Sequence, residues 1–244
     1  MTYVLTDAGE SRASRGTNAR IEQPFAAMMA GRRPRNPNVL YIDAGLHASQ
    51  IGAYSGVGDT PHIDRLARSG VRFTAATADG SSGSAVPEIL RDHGYDGGSF
   101  RLAEGGAGAL EPAVSFLCLR RSAPWAAYVR SGNAAAEVDL AIGRLVHALR
   151  RTGAYRDTIV ALVGAAARPG AIAPTIVSWP GQIPPRQRHD GQLSVADLTP
   201  TLLETARVGA SRGIDLDGVD LTAHVFDGAP MPARPVRAVD ISAA

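Results

Sequence analysis

The sequence contains no lysine: its 25 Lys/Arg-type basic residues, among 244, are all arginines. That absence excludes Schiff-base chemistry, a lysine general base and a lysine phosphate clamp. The single cysteine, Cys118, cannot form an internal disulfide, so the fold does not depend on an oxidising compartment. No apolar run approaches the ~18 residues needed to cross a bilayer. An export signal is also missing from the N-terminus, where Asp7 and Glu10 fall early and Pro24 to Gly31 is too short and too late for an apolar core. These features predict a cytoplasmic protein with no membrane partner.

What is present reads as globular. The chain is 45% hydrophobic and 20% charged, with a mean hydropathy of −0.04, and a chain of this length buries a substantial core. Twenty-three carboxylates intersperse the arginines and leave a net charge of +2. The sequence pI of 9.0 therefore reflects the basicity of guanidinium rather than a basic excess. A nucleic-acid-binding patch is not indicated.

Residues 1–37 are rich in Arg, Ser, Gly and Asn and have no sustained period, which predicts a flexible N-terminal arm. A single α/β domain is expected over 38–230, followed by a C-terminal tail over 231–244. Asn38 to Asp43 is a short apolar run ending in a carboxylate, as expected of a buried strand that delivers Asp43 to its carboxyl end. In open α/β sheets ligands bind at that end. Pro61 to Ser69 reads as a helix with Thr60 at the N-cap and Ile63, Leu66 and Ala67 on one face. Val71 to Ala75 alternates like a strand, and Val86 to His93 reads as a second short helix.

Ala113 to Leu119 has the composition of another apolar strand, with Cys118 as a buried core thiol. The spacing of Val138, Ala141, Ile142, Leu145, Val146 and Leu149 predicts the longest helix, over about 134–151, with His147 on its polar face. Asp157 to Val163 and Ile172 to Trp179 read as buried strands. Ser194 with Asp197 three residues on opens a helix to Ala206 in the manner of a capping box. The alternation of strands and helices predicts an α/β architecture with a mixed, mostly parallel sheet flanked by helices. The six histidines show no i, i+4 pair and have no cysteine partner, so a zinc site is unsupported.

The order of these segments resembles the sulfatase family of the alkaline-phosphatase-like superfamily. Pro37 to Asp43 looks like that family's opening strand. Thr60-Pro61-His62-Ile63-Asp64-Arg65-Leu66-Ala67-Arg68-Ser69-Gly70-Val71-Arg72-Phe73-Thr74 is close to its "TPNIDRLAxxGVRFTN" signature, with His62 in place of asparagine. Pro87 to Tyr95 is similar to "LPEILRDAGY". Glu137 to Leu149 with Asp157 to Val160 looks like the family's long helix and the strand that follows. Trp179 to Pro184, Val195 to Leu203 and Leu216 to Leu221 are similar to "WPGxIPxG", "VSxVDLxPTLL" and "xDGxSL".

This resemblance implies a sulfate-ester hydrolase that uses a divalent cation, commonly calcium, and a formylglycine nucleophile. The catalytic stations are nevertheless altered. Asp43-Ala44 stands where the family has paired aspartates. The nucleophile motif is missing between Thr77 and Pro87. Phe100-Arg101-Leu102 replaces "GKWHLG", Ala123-Pro124-Trp125 replaces "PHxP" with an indole that fills the former site, and Gly164-Ala165-Ala166-Ala167 replaces "SDHG".

Two readings follow. In the first the chain is a catalytically degenerate pseudoenzyme with a binding or structural role and no cofactor. In the second it is an active sulfuric or phosphoric ester hydrolase with a reorganised site. There Asp43 and Asp79 share calcium or another divalent cation, Thr77 or Ser81 is the nucleophile, and Arg101 binds the anion of a sulfate- or phosphate-ester small molecule. A third account, a decayed chain with no selected activity, is separated from both by whether the protein melts cooperatively. The shortened scaffold also leaves sheet edges that invite self-association.

Overall fold

The computed structural model describes residues 36–78, 83–102, 110–119, 122–132, 134–168, 170–208, 216, 218–227 and 229. Residues 1–35 of the expected arm, the expected tail 231–244, and the candidates Asp79 and Ser81 lie outside the described residues.

Strand β1 (Asn38–Asp43) is bounded on both sides. It pairs in parallel with β5 (Trp125–Ser131) and with β6 (Thr158–Val163). Beyond β5, strand β4 (Asp96–Leu102) adds in parallel at one edge. On the other side β7 (Thr175–Ser178) runs antiparallel to β6, β2 (Val71–Phe73) antiparallel to β7, and β8 (Gln187–His189) parallel to β2. The seven-stranded order is β4-β5-β1-β6-β7-β2-β8. A separate parallel pair joins β3 (Ala76–Thr77) to β9 (Leu193–Ser194).

Because side chains alternate across a strand, the sheet buries both faces. Val39 and Tyr41 point into one core, Leu40 and Ile42 into the other. The first core is covered by α3 (Val86–Arg91), α6 (Leu198–Thr205) and α7 (Thr222–Asp227), through Val86, Leu90, Leu202 and Phe226. The second is covered by α2 (Pro61–Arg68), α4 (Glu111–Cys118) and α5 (Ala135–Arg151). A single helical turn, α1 (Gly52–Ser55), precedes α2. The expected mixed, mostly parallel sheet between helical layers is the observed one.

The stripe on α5 is where its spacing places it: Val138, Ile142, Leu145 and Leu149 are buried, while Ala141 and Val146 are partly buried and His147 is exposed. Asp139, on the same helix and only 4% exposed, has a partner in another element. Its carboxylate accepts the backbone N–H of His62 at 2.9 Å and of Ile63 at 2.8 Å, the first free donors of α2. Thr60 occupies the N-cap of α2 without capping it. Its hydroxyl accepts from the Gly52 N–H and donates to Asp64. The Ser194 and Asp197 capping box forms as expected, and the wholly buried Asp197 also accepts from the Val219 N–H at 2.9 Å.

Three expectations are corrected. Ala113 to Leu119 is helical rather than extended. Glu111 and Pro112 open α4, and Ala113 and Leu117, four residues apart, are its buried face. Cys118 consequently points away from the core and is exposed. Trp125 does not fill a site at the carboxyl end of the sheet, because it is the first residue of β5. It pairs with Asp96 at the start of β4, and its ring meets Phe116 edge-on at 5.9 Å.

Asp139→Ala strands two helix-terminal donors in a buried setting and is expected to cost about 2–3 kcal/mol, read as a lower urea midpoint. Cys118 in the folded protein is expected to react with a thiol reagent at the rate of a free exposed thiol, and protection until unfolding would contradict its placement.

Candidate functional site

The parallel ladder brings the ends of β4, β5, β1 and β6 to one side of the sheet. In register across it lie Arg101, Arg130 and Asp43, so their side chains share a face. One step in from that edge are Ser99, Tyr128 and Tyr41 on the same face. The Tyr128 hydroxyl donates to Asp43 Oδ2 at 3.0 Å, and Arg130 Nε lies 3.7 Å from the same oxygen. Asp43 is 25% exposed at its side chain and Arg130 57%. Arg101 is exposed.

Sharp turns shape the chain leaving this edge. Gly45 has a φ of 63°, and a Cβ there would stand 2.7 Å from the Ser131 carbonyl oxygen. A side chain at Gly164, which follows β6, would meet the Leu46 carbonyl at 2.3 Å. The Leu46 carbonyl instead accepts from the Ala165 N–H at 2.8 Å, and His47 Nδ1 lies 3.2 Å from the Ala165 carbonyl. Behind Asp43, the segment entering α3 lies flat on Tyr41, since a Cβ on Gly83 would fall 2.1 Å from the phenol ring.

Burial drives the Tyr41 phenol well above the ordinary tyrosine range, and the neighbouring Asp43 and Tyr128 push it the same way against a backbone hydrogen bond from Gly83. Tyr41 is therefore a protonated core group and not a nucleophile. Thr77 belongs to the small sheet, where it pairs with Ser194 and its hydroxyl donates to the Leu193 carbonyl at 3.4 Å.

Sequence reasoning identified Asp43 and Arg101 but not Tyr128, Arg130 or His47. The signal for the first two was the alternation of Trp125 to Ser131, which puts Tyr128 and Arg130 on one face. For His47 the sequence offers no comparable cue.

A hard divalent cation needs six to eight oxygens converging on one point. Here the carboxylate offers one oxygen to a phenol and a guanidinium, and the residues that follow it and β6 are Ala44, Gly164 and Ala165. Among the described residues no group of three or more His, Cys, Asp or Glu side chains is assembled to hold a metal. This donor set does not fit a divalent cation, and the guanidinium beside Asp43 opposes one. What the edge can do is hold an anion: two arginines stand on adjacent strands ~4.8 Å apart, with a single carboxylate among the described residues to offset them.

Comparison with solved structures agrees with this architecture. The chain is similar to the PsFucS1 sulfatase from Pseudoalteromonas sp., at 15% identity over 87% of this chain and 77% of that one, with a TM-score of 0.66. It is similar to the phosphonate monoester hydrolase of Agrobacterium radiobacter, at 16% identity over 80% and 78%, with a TM-score of 0.67. It is also similar to BT4656, solved with its substrate D-glucosamine-2-N,6-O-disulfate, at 13% identity over 82% of each chain and a TM-score of 0.66. No family model and no curated protein matches the chain. The fold is the one shared by these sulfatases and the phosphonate monoester hydrolase.

The melting temperature is expected to be the same in calcium as in chelator. A cation bound at a hundred times its Kd would add about 2.7 kcal/mol to stability, and a rise of that size, lost in Asp43→Ala, would contradict the reading of the donor set.

Proposed function

We propose that this protein is a sulfatase-like scaffold that has lost ester hydrolysis and acts by binding. The observation that carries the reading is the environment of Asp43. Its carboxylate is held by Tyr128 and Arg130 of the same chain, in a row that supplies positive charge and, among the described residues, neither a cluster of oxygen donors nor an activated nucleophile. The ligand class that fits Arg101 and Arg130 is a small sulfate or phosphate monoester, since guanidinium matches tetrahedral oxyanions with paired N–H donors. Neither arginine transfers a proton near neutral pH. The two arginines therefore support recognition of the ester rather than its cleavage.

The test is hydrolysis of an aryl sulfate and an aryl phosphate by the purified full chain with added calcium. The expected result is no turnover above the buffer blank with either ester. Turnover abolished by Asp43→Ala would overturn the reading and establish an active hydrolase with a reorganised site. A saturable ester complex, detected by calorimetry and lost in Arg130→Gln, is the expected sign of binding.

A further inference from the structure

Four arginines converge on a cavity of about 370 Å³ between the end of α2 and the edge strand β8, away from the row that contains Asp43. They are Arg68, Arg72, Arg186 and Arg188, joined in the lining by Asp64 and Gln187. Arg72 and Arg188 are direct neighbours across the β2–β8 ladder. Like charges placed opposite each other on adjacent strands oppose pairing. Arg186 approaches from the loop before β8, where its backbone has a φ of 62°. Its N–H donates to the Arg68 carbonyl at 3.1 Å, fixing that residue against the end of α2.

The local carboxylates do not balance this charge. Asp64, on α2, is engaged with α1 and the N-cap, where its Oδ1 accepts from the Ala53 N–H at 2.8 Å and from the Thr60 hydroxyl at 3.1 Å. Asp190 takes Arg188 Nε at 2.7 Å. The Arg72 guanidinium lies over the Tyr54 ring, 5.5 Å from its centroid. Among the described residues no carboxylate lies within ion-pair distance of Arg68, Arg72 or Arg186. A helix C-terminus accounts for a cation at Arg68. It does not account for a side-by-side arginine pair on the sheet, or for a non-glycine residue held in the left-handed region so that a fourth arginine enters the same cavity. Backbone strain of that kind persists only where its surroundings over-determine it, and it clusters at ligand clamps.

We propose that this cavity is a second anion site, which takes a compact ligand carrying two or more phosphate or sulfate groups. Its volume is in the range of small-ligand pockets. The four fork-shaped donors match adjacent tetrahedral oxyanions, which also relieve the repulsion between Arg72 and Arg188.

The test is isothermal titration of the full chain at low ionic strength with inorganic pyrophosphate and, separately, glucose 4,6-disulfate. In an Arg101→Gln/Arg130→Gln background, which removes the row at Asp43, saturable one-to-one binding is expected, and the tighter probe indicates whether phosphate or sulfate groups suit the cavity better. Arg186→Gly suits the positive φ and so keeps the fold. It is expected to weaken the tighter complex at least about tenfold, a change of ~1.4 kcal/mol, as is Arg72→Gln. Arg91→Gln, which lines neither arginine site, is expected to leave it unchanged in the same background. No saturable binding of either probe in that background, or affinity unaffected by Arg186→Gly and Arg72→Gln, would each overturn the proposal.

Discussion

The structure is organised by the double ladder of β1. Each residue from Val39 to Asp43 is in register with one on β5 and one on β6, and the strand interior is buried on both faces. A parallel strand so enclosed has no freedom to slip, since a shift of one residue would exchange Tyr41 and Leu40 between the two cores. The same constraint fixes which side chains meet at the edge. Once Asp43 is opposite Arg130 and Arg130 opposite Arg101, the row contains two guanidinia and one carboxylate, whatever the loops beyond it do.

That separation between scaffold and edge explains how segments resembling sulfatase motifs stand beside an edge whose described residues do not fit a divalent cation. Those segments are packing and capping devices. In Thr60 to Arg72, Asp64 holds the α1 backbone at Ala53, while the first donors of α2 are met by Asp139 from the long helix. His62 lies against Gly143, whose missing side chain lets α2 and α5 approach, since a Cβ there would stand 2.7 Å from the ring. In Ser194 to Leu203, Asp197 closes a capping box and grips Val219. Trp179 is wholly buried, donates its indole N–H to the Arg156 carbonyl at 3.0 Å, and meets Phe226 edge-on. These contacts join helices, turns and the far strands to one another, whereas the Asp43 row is built on Tyr128 and Arg130 of β5.

The same division governs what was legible in the sequence. Strands β1, β6 and β7 are dense apolar runs, and α2, α5 and α6 have clear periods or caps, so their patterns suffice. Strand β4, Asp-Gly-Gly-Ser-Phe-Arg-Leu, has glycines where strands are usually branched. Its Gly98 makes room for Phe100 and Phe116, whose rings a Cβ would meet at 2.8 Å and 3.0 Å, a requirement visible only once α4 is packed against it. Strand β5 escaped because Ala113 to Leu119 is a better apolar run and displaced it. A short apolar run does not declare its period, and the helix that forms there is decided by Pro112 and by packing against α5. With β5 misplaced, Tyr128 and Arg130, the two partners that define the state of Asp43, were out of view. The second arginine cluster was hidden for a related reason: Arg68, Arg72, Arg186 and Arg188 meet only through the pairing of β2 with an edge strand of three residues.

The central claim is that Asp43 is neutralised within the chain. It is tested most directly by a crystal structure of the full chain grown with calcium and a sulfate monoester. The account predicts the Asp43 carboxylate on Tyr128 and Arg130, with no density for a cation within the ~2.3–2.6 Å of a calcium ligand. A calcium ion bound to Asp43, with Arg130 displaced from it, would contradict the account.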